Sequence, residues 1–534
     1  MKKKLIIAGA ALLLGASALA QNLNPTVEVT NTYVREASGI EKPVQLMEVP
    51  DSVLRFNLDF DYSVRTTPYK GSYEFKPYLV QLKPQPRPST EGTLYVKAGA
   101  GYSLHPEATL VWTPLNKKNF RLNLYADHQS YFGRYKQMAV SEGALQDGGN
   151  RYSGVQMRTQ AGADVLYGWT GGHFTADLSY KNIGATIQEG QNVYHNFFQG
   201  QARVKSSPEA AFAYEAGTRV SVMGGNYAET HTVSDALLGT HFGFHHVRLG
   251  LGLETVGEEA GFAGNVSLTP RYVFEAGRFQ LDLGVKFSIL YRSQNVAYYY
   301  PHKGGVVFPD ARVSIVLVPE VLTAYASATG GNHLNVTSDL LESNPFLPGF
   351  AGYQDTSVER VNAALGVRGN VSGRFHYDAK VGYAWWQNAL LYGYGPVLPA
   401  MGYEENLSSF YADAALGWKS DYLDADARLL YRYSSTVDAA ELFAPPAFTA
   451  QLKALYKWGN RFRGGVTLDA RTDTRSQSLT LPGYADLGLY ADFQMSRRLG
   501  LWARVGNLLG STVQYVPGYA QHGPWATVGV VFTL

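Results

Sequence analysis

The sequence predicts an all-β protein: a transmembrane antiparallel up-and-down β-barrel of about 22 strands behind a short N-terminal segment. Three observations predict it. An export leader opens the chain, period-two alternation of apolar and polar residues fills residues 93–534, and short turns alternate with long loops throughout that stretch.

Lys2, Lys3 and Lys4 precede an apolar run that closes on Ala18-Leu19-Ala20, the pattern of a secretory signal peptide over residues 1–20. No other apolar run has the length of a membrane helix. The chain holds no cysteine, which excludes a disulfide framework, a lipid-anchored cysteine and a thiolate metal site. Its formal charge of +2 becomes −1 once the three leader lysines are removed, so nothing points to nucleic acid as a partner. The 37 Tyr and 56 Gly, with a mean hydropathy below zero, fit a membrane barrel, whose strands hide their hydrophobicity by alternation.

Residues 21–92 read as a short, extended or lightly folded periplasmic or lumenal segment, with one strand near Arg55–Tyr62. Pro84, Pro86 and Pro88 make its end a semi-rigid linker into the first barrel strand. From Thr93 onward the strands fall near 93–103, 107–114, 119–129, 152–168, 172–185 and 193–206, and continue in the same rhythm to 497–507 and 524–534. In 278–292, Phe279, Leu281, Leu283, Val285, Phe287 and Ile289 oppose Gln280, Asp282, Gly284, Lys286 and Ser288. In 374–389 the polar face holds His376, Asp378 and Lys380; in 422–435 it holds Asp424, Asp426, Arg428 and Arg432. Strand 461–472 sets Arg463, Asp469 and Arg471 against Phe462, Val466 and Leu468, and Arg504 occupies the polar face of the penultimate strand. Charges confined to one face imply that the other meets hydrocarbon. Asp282, Lys286, Asp378, Lys380, Asp424, Asp426, Arg428, Arg432, Arg463, Asp469, Arg471 and Arg504 are therefore the candidates for lining the lumen.

Short turns such as 169–171, 275–277 and 459–460 alternate with longer loops at 130–151, 224–234, 293–303, 330–353, 390–404, 436–445 and 508–523. That asymmetry belongs to outer-membrane barrels, with turns in the periplasm and loops outside. Outer-membrane lipid is then the first partner, and the cell outer membrane the location. In lipid an open sheet edge leaves backbone groups unpaired at several kcal/mol each, so strand 524–534 must pair with strand 93–103. A lumen of about 22 strands is too wide for wall side chains to fill.

The chain end, VGNLLGSTVQYVPGYAQHGPWATVGVVFTL, resembles the barrel of TonB-dependent outer-membrane receptors. Those finish with an Asn-Leu turn, a Tyr/Pro/Gly loop and an alternating last strand. The matching pieces are Gly506-Asn507-Leu508, Tyr515-Val516-Pro517-Gly518-Tyr519 and Trp525–Leu534. Asn344-Pro345-Phe346-Leu347 is similar to the mid-barrel loop of that family, and GTLYVKAGAGYS to its barrel start. Residues 21–92 are shorter than the family's plug domain and lack its Gly-rich signatures, so the resemblance is to the group with a reduced or missing plug. It implies a periplasmic partner, TonB or an envelope complex, met through residues 21–92. Thr26, Val27, Glu28 and Val29 stand where it implies a TonB-contacting box.

No catalytic, cofactor or metal site is expected. His241 and His245, read as sharing one strand, would lie about 13 Å apart, too far for one ion. The inner-face aspartates are interleaved with arginines, which ion pairing explains without hydrolytic chemistry. Two functions remain open: passage of a solute across the outer membrane as a receptor-like transporter or pore, and a non-transporting barrel that scaffolds a surface or envelope-assembly complex.

Overall fold

The computed structural model describes residues 94–534, apart from 103, 208–209, 211, 225–227, 259–260, 293–303, 348–355, 396–399 and 460. The leader, the segment 21–92 and the tetrapeptide Thr26–Val29 lie outside the described residues. Twenty-two wall strands follow one another. They are β1 (Leu94–Gly101), β2 (Glu107–Lys117), β3 (Phe120–Ser141), β4 (Ala144–Trp169), β5 (Gly172–Gln188), β6 (Gln191–Ser206), β7 (Phe212–Gly224) and β8 (Glu229–Phe242). Next come β9 (His245–Glu258), β10 (Gly261–Ala276), β11 (Phe279–Arg292), β12 (Gly305–Val318), β13 (Leu322–Leu334), β14 (Thr356–Val371) and β15 (Phe375–Gly393). The wall ends with β16 (Ala400–Lys419), β17 (Leu423–Ser434), β18 (Phe448–Trp458), β19 (Phe462–Arg471), β20 (Tyr484–Gln494), β21 (Leu499–Gly506) and β22 (Trp525–Thr533). A seven-residue helix, α1 (Thr337–Ser343), interrupts the loop between β13 and β14.

Each strand pairs antiparallel with the next, and β22 returns to β1 with Tyr95 opposite Thr533 and Gly101 opposite Thr527. Leu534 N–H donates to Leu94 O at 2.9 Å, and Leu94 N–H to Leu534 O at 3.2 Å. The barrel is closed, as the cost of an edge in lipid requires.

Alternation sorts the side chains. On β11, Phe279, Leu283, Val285, Phe287 and Ile289 are exposed, whereas Asp282 and Ser288 are buried on the opposite, inward face. The same holds on β22, where Val528, Val530 and Phe532 point out and Thr527, Val531 and Thr533 are buried. At one end of the wall the strands are joined by two to five residues; at the other stand the long loops. The first wall residue, Leu94, and the last residue, Leu534, meet at the short-turn end.

One expected loop is not a loop. Residues 130–151 continue β3 and β4 into a hairpin that closes only at Glu142 and Gly143. Its pairing slips where Lys136 faces Arg151 and Met138 faces Asp147, leaving Gly148, Gly149 and Asn150 as a bulge. Gly149 sits at φ +84, and the Asp147 carboxylate accepts its N–H at 2.9 Å while holding Arg151 at 2.8 Å. A bulge of this kind bends a ribbon. The turn between β8 and β9 also falls earlier than read from the sequence, at Gly243-Phe244, so His241 faces His246 across the hairpin instead of sharing a strand with His245.

Candidate functional site: the loop-capped mouth and the charged inner wall

The loop end of the barrel is covered from three directions. The bent β3–β4 hairpin reaches across it: Thr480 N–H donates to Gly143 O at 2.9 Å, and the Gln514 side chain to Leu145 O at 3.0 Å. Leu145 is fully buried against Phe443 and Leu481, with Met138, Tyr394 and Leu479 around them. Met138 belongs to the hairpin itself, whereas Tyr394, Phe443, Leu479 and Leu481 come from the loops after β15, β17 and β19, far around the wall from β3 and β4.

The second cover is the loop carrying α1, which folds inward. Val336 packs on Val256 and Ala263, and the fully buried Leu341 packs on Ile183, Phe197 and Met223 from the inner face of β5, β6 and β7. Val336, at the helix N-cap, has no side-chain cap of its own. Glu229 of β8 supplies one from the wall, accepting the N–H groups of Thr337 at 2.9 Å and Ser338 at 3.0 Å. This satisfies two donors a helix start leaves orphaned and sets a carboxylate at the positive end of the dipole. At the other end of α1, Glu342 meets Lys181 of β5 at 2.5 Å and Arg158 of β4 at 3.4 Å. Lys181 is 2 % exposed and Glu342 5 %. Ser343 lies 3.4 Å from the Tyr392 hydroxyl on β15, and Asn335 donates to the Tyr403 hydroxyl on β16 at 3.4 Å. The loop thus touches β4–β10 on one side and β15–β16 on the other, so it spans the lumen.

The terminal loop, 507–524, is the third cover. Asn507 opens it at φ +47, a left-handed position that asparagine tolerates, and its N–H is held by Asp486 at 2.9 Å. Tyr519 stacks on Phe346 of the inward loop with ring centroids 4.2 Å apart, inside a cluster with Ala185 and Val516. Lys136 donates to the Thr512 hydroxyl at 2.6 Å, tying the hairpin to the same loop.

Where this loop rejoins the wall, His522 stacks on Tyr131 at 4.2 Å and lies beside His105, whose ring meets Trp525 at 4.7 Å. Both ring nitrogens of His522 are sealed from solvent without a hydrogen-bond partner. Burial, helped by the neighbouring His105, holds the His522 pKa down to about 3. Burial also lowers His105, with Glu107 opposing and Arg504 adding to the shift. Burial thus favours the neutral form of both rings in the folded chain. The unfolded chain takes up protons near pH 6.5 that the folded chain refuses, so stability is complete above that pH and falls as pH drops toward 3. We expect the urea midpoint in detergent to fall between pH 7 and pH 5 by the equivalent of about 1–2 kcal/mol. His522→Phe should remove most of that fall; an unchanged pH dependence in the variant would show that His522 does not carry it.

Below the cover the wall is an ion-pair lattice. Lys380 and Arg428 share Asp413, at 3.4 and 3.0 Å. Arg271 bridges Asp282 at 3.0 Å and Asp310. Asp378 accepts the Tyr325 hydroxyl at 2.5 Å, Asp424 holds Lys457 at 2.7 Å, and Asp426 lies 3.9 Å from His376. Arg463 faces Asp492 at 3.9 Å, Asp469 accepts the Tyr484 hydroxyl at 3.4 Å, and Arg471 reaches Gln514 O over the Tyr484 ring. Arg504 lies 3.5 Å from Glu107; Lys286 stands opposite Phe308 and Arg432 opposite Tyr411. The candidates from the sequence therefore spread around the inner face, and two of them, Lys380 and Arg428, meet at one acid. Arg158, Lys181, Glu229 and Glu342 were not among them. The one local signal for α1 was Ser338-Asp339-Leu340-Leu341-Glu342, a helical pattern inside a β protein. Among the described residues no cluster of His, Asp and Glu has metal-holding geometry.

No family model matches the chain, and no curated protein matches it in sequence. Solved structures do match. The siderophore receptor PiuA of Acinetobacter baumannii superposes with a TM-score of 0.59 at 10 % identity, covering 83 % of this chain and 82 % of that one. A ferric enterobactin receptor of Pseudomonas aeruginosa, PfeA, gives 0.58 at 12 % identity over 83 % and 81 %. The FrpB iron transporter of Neisseria meningitidis gives 0.59 at 9 % identity over 83 % and 82 %. At such identities the likeness is one of fold, and the fold of this chain is the closed receptor-like barrel its sequence resembles.

Proposed function

We propose that the chain is an outer-membrane barrel that passes a solute through its lumen, as a receptor-like transporter and not an enzyme. The long-loop end faces outside and the short-turn end the periplasm. The observation that carries this reading is the inward loop: a buried helix docked across a wide, charged lumen is a gate, and a gate implies something to admit. The twelve charged residues expected from the sequence would form the path beneath it, from Arg504 near the closing seam around to Asp282 and Lys286. Residues 21–92 would lie at the periplasmic end, as a partial plug and as the contact for TonB through Thr26–Val29.

The interlocked loops also favour a second reading, a fixed outer surface that scaffolds a complex. Uptake separates the two. Cells producing the full chain, in a strain without its major porins, are offered labelled sugars, peptides and metal chelates, with and without an uncoupler. Saturable uptake of one class supports transport, and its loss with the uncoupler supports energisation through TonB. No uptake of any class, with envelope proteins recovered on residues 21–92, supports the scaffold.

A further inference from the structure

We propose that Arg158 and Lys181 form an anion site on the lumen wall, that Glu342 occupies it as a tethered carboxylate, and that a carboxylate-bearing solute displaces Glu342 to release the inward loop. The inference deepens the transport reading and rests on it for the solute's route.

The pair is built into the wall. Arg158 and Lys181 project from the adjacent strands β4 and β5, where Arg158 stands opposite Ile183 and Lys181 opposite Gln160. Lys181 and Arg158 are 2 % and 13 % exposed, and the Lys181 ammonium lies 5.9 Å from the centre of the Phe197 ring. Two cations so poor in water need an anion, and within the closed chain Glu342 meets them both. It does so incompletely. Its contact to Arg158 is a single 3.4 Å approach to one terminal nitrogen, while the other, Nη1, is buried with no hydrogen-bond partner. A guanidinium binds a carboxylate best through two parallel N–H donors. Glu342, held by the short helix and by its 2.5 Å contact to Lys181, does not make that fork. A free carboxylate arriving along the lumen is not so constrained and can pair with both terminal nitrogens. Of the wall's own acids, Asp127 feels the charge of Arg158 and Asp177 that of Lys181.

Release of Glu342 would weaken the fit of Leu341 over Ile183, Phe197 and Met223, since the same short helix carries both residues. The exchange is reciprocal: whatever holds Glu342 in place weakens solute binding, because apparent affinity falls with the fraction of chains whose site is vacant.

The test uses the full chain in detergent, with tricarballylate as probe and the neutral sugar raffinose as control, at fixed ionic strength. In calorimetric titrations Glu342→Gln should bind tricarballylate on the order of tenfold more tightly than the unsubstituted chain. Arg158→Gln in the Glu342→Gln background should lose that binding, and none should bind raffinose. Heat-shifted gel migration checks that each variant is folded, and Lys181→Arg, which keeps the charge, should retain the competition. Equal binding to the unsubstituted chain and Glu342→Gln, or no binding to either, overturns the site. The titration needs no transport, so binding with this order of affinities and no uptake in cells would sink the transport reading and leave the site standing.

Discussion

Removing residues 21–92 alone should leave the purified barrel nearly closed in planar bilayers, and conductance should rise steeply only when the inward loop is removed as well. The inward loop stands in the lumen whether or not residues 21–92 are present, so its resistance remains. It is attached at four points. Leu341 is fully buried, Glu229 caps the helix from the wall, Glu342 is ion-paired, and Phe346 stacks on Tyr519. Replacing residues 336–346 by a short Gly/Ser linker removes all four attachments and leaves the 22 wall strands in place. In the chain lacking 21–92, the replacement should raise single-channel conductance on the order of tenfold or more, because a lumen of this strand number is not filled by wall side chains. Glu342→Ala, which removes the ion pairs to Lys181 and Arg158 and leaves the rest of the loop docked, should give flickering openings instead of a steady increase. A large steady current after removing 21–92 alone would mean that the loops do not close the mouth. Closure persisting after both deletions would assign the block to the β3–β4 hairpin and the terminal loop.

What could be read from the sequence, and what could not, divides at the membrane surface. Within the bilayer each strand has one face in lipid and one in the lumen. Phe279 to Ile289 therefore alternate with Gln280 to Ser288 so strictly that wall, strand number and closure follow. Above the bilayer no face of a strand meets lipid, so nothing enforces strict alternation and it lapses. Residues 130–151 then look like a loop although they pair through Tyr135 opposite Tyr152 and Val140 opposite Leu145. The mouth was hidden for a different reason. Its contacts join residues remote in sequence, 161 positions apart for Lys181 and Glu342 and 369 for Leu145 and Gln514, and neither partner signals the other. The inner-wall charges were visible one strand at a time, but their partners were not. Asp424 pairs with Lys457 and Asp426 approaches His376, where the sequence suggested arginines.

Gly529→Leu should prevent most of the chain from closing its barrel. At the seam Gly529 stands opposite Gly99 on one side and Trp502 on the other. The Trp502 indole, 3 % exposed, lies over both glycines, and the Lys97 ammonium sits 4.1 Å from its ring centre. A Cβ at Gly529 would come to 2.1 Å from Ala98 O and 2.6 Å from the indole; one at Gly99 would come to 2.4 Å from the same ring. A backbone oxygen inside a hydrogen-bonded ladder cannot step aside as a flexible side chain can, so the strand itself would have to move. Overpacking in a well-packed interior costs about 1–3 kcal/mol, and here it falls on the pairing without which β1 and β22 are open edges in lipid. On unheated gels the folded, faster-migrating form should fall to a small fraction for Gly529→Leu and by less for Gly529→Ala. Trp502→Ala in the Gly529→Leu background should recover part of the loss, about 1 kcal/mol of coupling, since it clears the indole but not Ala98 O. Wild-type folding of Gly529→Leu would show that the seam tolerates a side chain there, and the glycine pair would not be what lets Trp502 seal it.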